Sequence, residues 1–413
     1  MYRRQLRRAF PSLVYVVRLA RRMVGITLRT ISPRPTMKRS GKTVDVSGLR
    51  NIWCGYYDHS PFRPENENVV LVHATNWYAW RKPNPSHPAK LLLVDWCSNQ
   101  VVEEVGTTYA WNWQQGARAH WLSKDVIIYN IYDQKRDSYF ATLSRLGSKG
   151  REVLPLPVQE TDKNGRIYSI SYEALNRIRP DYGYRNKKCT EQDILENRIR
   201  SYDLRSGMIT EFVGVSDLLV EAGERNRGAI SLPRLNHLMA SPSGINLVFL
   251  FRYFVDNRRV TDLYNLEVSS GKWWCVVPDG GASHCHWLDD ETILVTMRGL
   301  RGFGYYQVDV KSGNSQLIWK HADGHPSSIS RQGFITDTYP DERAMRSLLV
   351  VPWLNPMAAC EIAAFPEPLL VQGETRCDLH PAISQSSKWV QVDMMQGHRR
   401  TIGILAVSGW EVL

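Results

Sequence analysis

His284, Cys285 and His286 stand together before Trp287 in GASHCHWLDDETILV, residues 281–295. In an extended segment side chains alternate, so both imidazoles fall on one side and the thiol on the other. Two imidazoles on one side suit a shared divalent metal, and imidazoles also move protons near neutral pH. GARAHWLSKDVIIYN, residues 116–130, repeats the frame with His120-Trp121-Leu122 but lacks the Cys and the second His. LNHLMASPSGINLVFLF (235–251) and DLHPAISQSSKWVQVDM (378–394) share a His, a Ser four positions later, a polar turn and an apolar run. His59 in YDHSPFRPENENVVLVH and His325 in DGHPSSISRQGFITDTY fit the same frame. One such His alone would signify only a bond to neighbouring backbone. Six of the eleven histidines at one place in a repeat point instead to a shared position in the fold.

The elements that must hold them are strands. Short apolar or alternating runs bounded by Gly, Pro, Asn, Asp and Ser recur from residue 43 onward: NVVLVHA (68–74), KLLLVDW (90–96), DVIIYNIYD (125–133), INLVFLFRYF (245–254), ETILVTM (291–297) and KWVQVDMM (388–395). One short helix is expected at YEALNRIR (172–179). The gap from His120 to His237 leaves room for one further unit, led by Tyr168 in RIYSISYEAL. Seven units from His59 to His380 give about 53 residues per step, the length of a four-stranded blade with its loops. The expectation is an all-β chain, a single seven-bladed β-propeller over residues 42–413. The last unit has room for about three strands, so KTVDVSG (42–48) is expected to complete its blade, because an open ring would leave two edges unpaired. Each His then marks a blade entrance, and the entrances gather around the central channel on one face.

A second polar set ends the apolar runs, read as the innermost strands: His73, Asn130, Arg252, Arg298, Asp337 and Asp393. Arg252 or Arg298 pairing with Asp337 is one reading. Contact with an anionic substrate is the other, since a guanidinium grips a carboxylate in two places. The aromatics of TYAWNWQQGARAHW (108–121) and RPDYGYRN (179–186) are mostly core, with some free to stack on sugar rings beside Gln114 and Gln115.

The net charge of +11 does not signal nucleic acid. Residues 1–42 carry twelve Lys or Arg and no acid, leaving −1 on the rest. The apolar run Ala9–Val17, broken by Pro11, is too short for a membrane span and lacks a signal-peptide pattern. Residues 1–41 are expected to be a basic tail, disordered or, through residues 1–30, laid on an anionic membrane surface. Seven scattered cysteines without a CxxC pair read as reduced thiols of a cytoplasmic protein, with a periplasmic or peripheral-membrane place as the alternative.

LNHLMASPSG, SHCHWLDD, DGHPS, TDTYPD and RCDLHP, with WNWQQG and PDYGY, resemble bacterial seven-bladed propellers related to the oligogalacturonate lyases, with ulvan lyases as more distant cousins. The resemblance spans roughly residues 45–413 and is most specific in the last four blades. It implies a lyase that cleaves uronate-containing glycans by β-elimination: a base removes the C5 proton, the carboxylate is neutralised by a metal or Arg, and the C4 oxygen leaves. It implies a divalent metal (manganese, zinc or calcium) held by His284 or His286, His325 and His380. Ulvan lyases carry a polar residue sixteen positions before an Arg, matched by Asn236 and Arg252; theirs is Tyr, and here Asn236 is followed by His237. His237 as acid or base and Arg252 as carboxylate clamp follow, with Asn236, Gln115, Asn130, Arg298 and Tyr168 as further substrate contacts. The alternative is a non-catalytic propeller that binds a glycan or protein partner in bacterial envelope-polysaccharide metabolism.

Overall fold

The computed structural model describes residues 40–407 apart from 149, 330, 331 and 369, together with Ala20, Met23, Val24, Thr27, Met37 and Lys38. What the sequence suggests for the basic tail therefore lies almost wholly outside the described residues. Among the described residues no helix is long and apolar enough to cross a membrane.

Seven antiparallel sheets follow one another around a ring, the first six each built from chain-consecutive strands. The innermost strands are Asn51–Trp53 with Phe62–Arg63 in blade one, His120–Ser123 in blade two and Glu160–Thr161 in blade three. Ile230–Ala240, Cys285–Trp287, Ser327–Ile329 and Ala382–Ile383 begin blades four to seven. Blade seven takes its outermost strand from the N-terminal side. Gly41–Val44 pairs antiparallel with Arg399–Ala406, Gly41 opposite Leu405 and Val44 opposite Ile402. Val44 is fully buried against Ile52, Val72 and Ile404, which contributes about 2 kcal/mol. Contact with the propeller starts before Lys42: Met37 bridges Ala363, and Lys38 N–H donates to Ile362 O (2.9 Å).

The count of blades and the closing strand are as the spacing predicts; the assignment of strands within a blade is not. Runs such as Asn246–Val255, Thr292–Gly299 and Trp389–Gln396 are the second strands of their blades, and the segments at the histidines lead the innermost ones. Second strands are covered on both faces by neighbouring blades, so they read as continuous apolar runs. Tyr168 lies on such a second strand, Arg166–Ser169, so it does not head the third blade; Glu160–Thr161 does.

The expected helix forms as α1 (Tyr172–Ile178), capped by Ser171, whose hydroxyl accepts from Ala174 N–H at 3.0 Å. Two further helices go beyond the sequence reading. α2 (Glu191–Leu195) has a Thr190–Asp193 capping box, and α3 (Val215–Arg225) buries Val215, Leu218 and Ala222 along one face.

Candidate active site

The innermost strand of blade one is broken, and residues 54–61 between its two pieces carry Tyr56 and Tyr57 into the middle of the ring. Asp393, from blade seven's second strand, fixes the start of this loop by accepting from Cys54 N–H (2.8 Å) and Gly55 N–H (3.1 Å). Burial pushes the Asp393 carboxyl up to about 7. Gly55 has φ +110°, and a Cβ there would sit 3.1 Å from Gln115 O, so only glycine makes this turn without strain. Further along, Asp58 pairs with Arg118 (2.9 Å), and His59 stacks on His120 with ring centroids 3.8 Å apart.

Around Tyr56 and Tyr57 stand four histidines from blades four to seven: His237, His284, His325 and His380, each at most 4 % exposed. Ring centroids are 5.5 Å apart for His237–His284, 4.0 Å for His284–His325 and 4.5 Å for His325–His380. His237 and His380 have φ +52° and +46°, and Arg118 takes φ +54° in blade two. Arg118, rather than His120, is thus the backbone counterpart of these histidines. A left-handed backbone at a non-glycine residue persists only where its surroundings hold it, and it gathers at functional sites. The Tyr56 hydroxyl lies 2.7 Å from His237 Nδ1. The Tyr57 hydroxyl donates to Cys285 O (3.0 Å) and accepts from Cys285 N–H (3.1 Å).

Acceptors behind the rings fix where their nitrogens point. Asp337 accepts from His325 Nδ1 (2.8 Å), and Gly55 O accepts from His380 Nδ1 (2.8 Å). That leaves Nε2 of both rings buried and, among the described residues, without a hydrogen-bond partner. Asp378 places a carboxylate oxygen within 4.8 Å of both His325 and His380 ligand atoms. Although burial raises Asp378, Arg376 and Arg346 outweigh it and hold the carboxyl well below its ordinary value. Two imidazole nitrogens and one carboxylate oxygen converging on one point fit a manganese- or zinc-type ion; calcium prefers an all-oxygen set.

Arg252, a neighbour of His237, belongs to a pair of buried cations. Arg234 and Arg252 face each other across the first two strands of blade four, 4 % and 5 % exposed. Among the described residues neither has an acidic partner. Arg252 donates only to Ala282 O and Ser283 O (3.4 Å each), Arg234 only to Leu232 O (3.4 Å). Burial and the cations around them lower Arg252 to about 10 and Arg234 to about 9. Burial and then Arg252 hold His237 well below its ordinary value, so its imidazole is neutral. The Asn236 amide beside it is fully buried, and among the described residues neither its oxygen nor its nitrogen is bonded.

The residues singled out from sequence thus divide. His237, Arg252, Asn236, His284, His325 and His380 come together. Cys285 and Trp287 enter the hydrophobic core, while His284 and His286 lie outside it, as alternation requires. His286, however, sits apart from the His325–His380 group, near Asp58, and burial lowers it to about 4. His120 uses both nitrogens, on Arg118 O (2.8 Å) and Thr161 Oγ1 (2.9 Å). Gln115 is buried beside the central loop with its amide unbonded. Asn130 is a structural tie, its amide spent on Val158 (2.7 and 2.8 Å) and Tyr184. The Tyr168 hydroxyl donates to Asp162 (3.0 Å) in blade three's periphery, and Arg298 is exposed at a strand end. Neither faces the ring of histidines. Asp337 serves His325 and the Leu379 and His380 N–H groups, not an arginine. The aromatics Trp111, Trp113, Tyr182 and Tyr184 are buried core. Sequence reasoning misses Arg234, Asp378, Tyr56 and Tyr57. Asp378 is readable two positions before His380, whereas Arg234 becomes visible only once the register opposite Arg252 is known.

No family model and no curated protein matches this sequence. Solved structures do. An oligogalacturonate lyase in complex with manganese aligns over 90 % of this chain and 96 % of its own, with 12 % identity and a TM-score of 0.61. The oligogalacturonate lyase of Vibrio parahaemolyticus aligns over 90 % and 98 %, with 12 % identity and a TM-score of 0.57. The fold is that of the oligogalacturonate lyases. At this identity the likeness speaks for the seven-bladed architecture and its closure.

Proposed function

We propose that the protein is a lyase that cleaves acidic, uronate-containing glycans by β-elimination at the centre of the ring. The observation that carries this reading is the neutral His237 beside two buried arginines that form no ion pair among the described residues. A buried unpaired cation is costly, and an arriving carboxylate removes that cost. It also offsets the cation that depresses His237, making the imidazole a better proton acceptor as substrate binds. Arg252 and Arg234 hold the uronate carboxylate and stabilise the charge that spreads onto it as the C5 proton departs. His237 takes that proton, the C5–H electron pair becomes the C4–C5 double bond, and the C4–O bond breaks. The Tyr56 hydroxyl gives its proton to the leaving oxygen and recovers one from His237 across their 2.7 Å contact. His325, His380 and Asp378 would hold a divalent ion, which supplies further positive charge for the substrate's anionic oxygens. The manganese bound by the similar lyase structure supports that assignment.

A second reading rests on how closed the centre is, with Tyr56 and Tyr57 only 6 % and 3 % exposed. On it, the metal pins the central loop and the propeller binds glycans without cleaving them. Incubation with a panel of uronate polysaccharides, followed by ultraviolet absorbance of the unsaturated product, separates the two. The lyase reading expects absorbance that grows with time and is lost in Arg252→Ala and His237→Ala. No product from any uronate polymer leaves the binding reading.

A further inference from the structure

An open groove of about 1350 Å³ runs along the rim where blade seven closes onto blade one. Its walls are the turn 45–50 after the closing strand, Asn76, Trp77, Tyr78, Trp80, His87 and Pro88 of blade one, and His398–Arg399 in blade seven's hairpin, with Arg81 beside it against Tyr78. Tyr78, 36 % exposed, stands in it, with the guanidinium carbons of Arg50 and Arg81 at 4.4 and 5.2 Å from its ring centroid. Trp77 and Trp80 flank it, their rings 6.2 and 4.9 Å away. Arg399 is paired with Asp45 (3.2 Å) and Lys90 with Glu104 (2.8 Å). Arg50 and Arg81 have no acidic partner among the described residues.

We propose that this groove is a second binding site, for a further stretch of an acidic polysaccharide chain. The reading of the central site supplies only the class of ligand; the groove's own chemistry selects for it. Stacking on Tyr78 orders each guanidinium while leaving its N–H fork free for a carboxylate or sulfate. Indole and phenol rings beside those forks match the apolar faces of pyranose rings. Nucleic acid is a poorer match, because such binders engage roughly 6–10 phosphates, and beyond residue 42 the chain carries a net charge of only −1. The groove and the centre are joined through shared loops. Trp113 Nε1 donates to Arg81 O (2.9 Å), and the next residue, Gln114, donates through Nε2 to Arg376 O (2.7 Å). Arg376 in turn grips Asp378 (2.6 Å) in the candidate metal group.

The test is the retention of the full chain in native gels containing polygalacturonate, heparin or poly(U). Arg50→Ala/Arg81→Ala is expected to weaken polygalacturonate retention about tenfold, as loss of two charge-assisted contacts implies, with an unchanged melting temperature. Tyr78→Ala should weaken it in the same direction. His237→Ala should retain the polymer as wild type does, so a failure of the lyase reading leaves the result for the groove standing. Undiminished polygalacturonate retention in the double variant overturns the proposal. So does wild-type retention by poly(U) that matches the acidic glycans and falls with the same substitutions, which would reassign the groove to nucleic acid.

Discussion

Arg234, Arg252 and Arg346 are all about 4–5 % exposed, yet their surroundings ask opposite things of them. Arg346 is held by Glu367 and Asp378, each at 3.0 Å, so Arg346→Met takes a buried cation away from two buried carboxylates and should cost about 3–5 kcal/mol in denaturant unfolding. Arg234 has no acid to strand. Arg234→Met should leave stability unchanged or raise it by about 1–3 kcal/mol while weakening uronate binding, and a large loss of stability would show that an acid reaches it. A second residue-scale prediction concerns metal. His325→Ala, His380→Ala and Asp378→Ala should each lose bound manganese by elemental analysis, and His120→Ala should retain it. Wild type that takes up neither manganese nor zinc would remove the metal from the site. Sequence shows the histidines because six of them repeat in one frame, and Arg252 because it interrupts an apolar run. Nothing in one dimension distinguishes His284 from His286, since alternation puts both on one side; their neighbours separate them, Asp323 and His325 for His284 and Asp58 for His286.

At the scale of elements, the segment 54–61 decides what the centre is, and it hangs on Asp393. The carboxyl's folded value of about 7 lies above its unfolded value of about 4, so the native state holds the proton more tightly. A raised carboxyl contributes stability that is fully present below about pH 4 and is lost as pH rises through about 7. Asp393→Asn keeps an acceptor for the Cys54 or Gly55 N–H and cannot ionise. Its unfolding free energy should therefore lose a downward slope of a few kcal/mol that wild type shows between about pH 4 and 7. Parallel curves for the two proteins would mean that Asp393 titrates as an ordinary carboxylate. The broken strand that carries this segment is not legible in sequence. NIWCGYYDHSPF has turn formers at Gly55 and Pro61, but whether a strand continues or dips into the channel depends on how much of the channel six other blades leave open. The signal for α3 is present in the sequence: Val215, Leu218 and Ala222 recur at helical spacing, and Asp217 bonds the Gly214 N–H at its start (2.9 Å).

For the whole molecule, ring closure turns seven marginal sheets into one cooperative unit. The repeat spacing predicts it, because a fixed unit length and a short last unit are global quantities that a sequence displays directly. The strands within each unit are harder to place, since burial on two faces makes second strands more apolar than the innermost ones. Closure depends on four residue pairs between Gly41–Val44 and Ile402–Leu405, on Val44 filling the seam to blade one, and on the short clasp of Met37 and Lys38 on blade six. The twelve cations before Thr43 include only Lys38, Arg39 and Lys42 at or beyond that clasp. Removing residues 1–36 should leave the melting temperature within about 2 °C of wild type, as the exposure of Met23 and Val24 implies for those positions. Removing residues 1–45 takes away the outermost strand of blade seven and bares the Arg399–Ala406 edge. That protein should melt at least about 5 °C lower and associate through the exposed edge, read by calorimetry and light scattering. Equal melting of the two truncations would mean that the ring holds without its clasp and that the seam around Val44 contributes little.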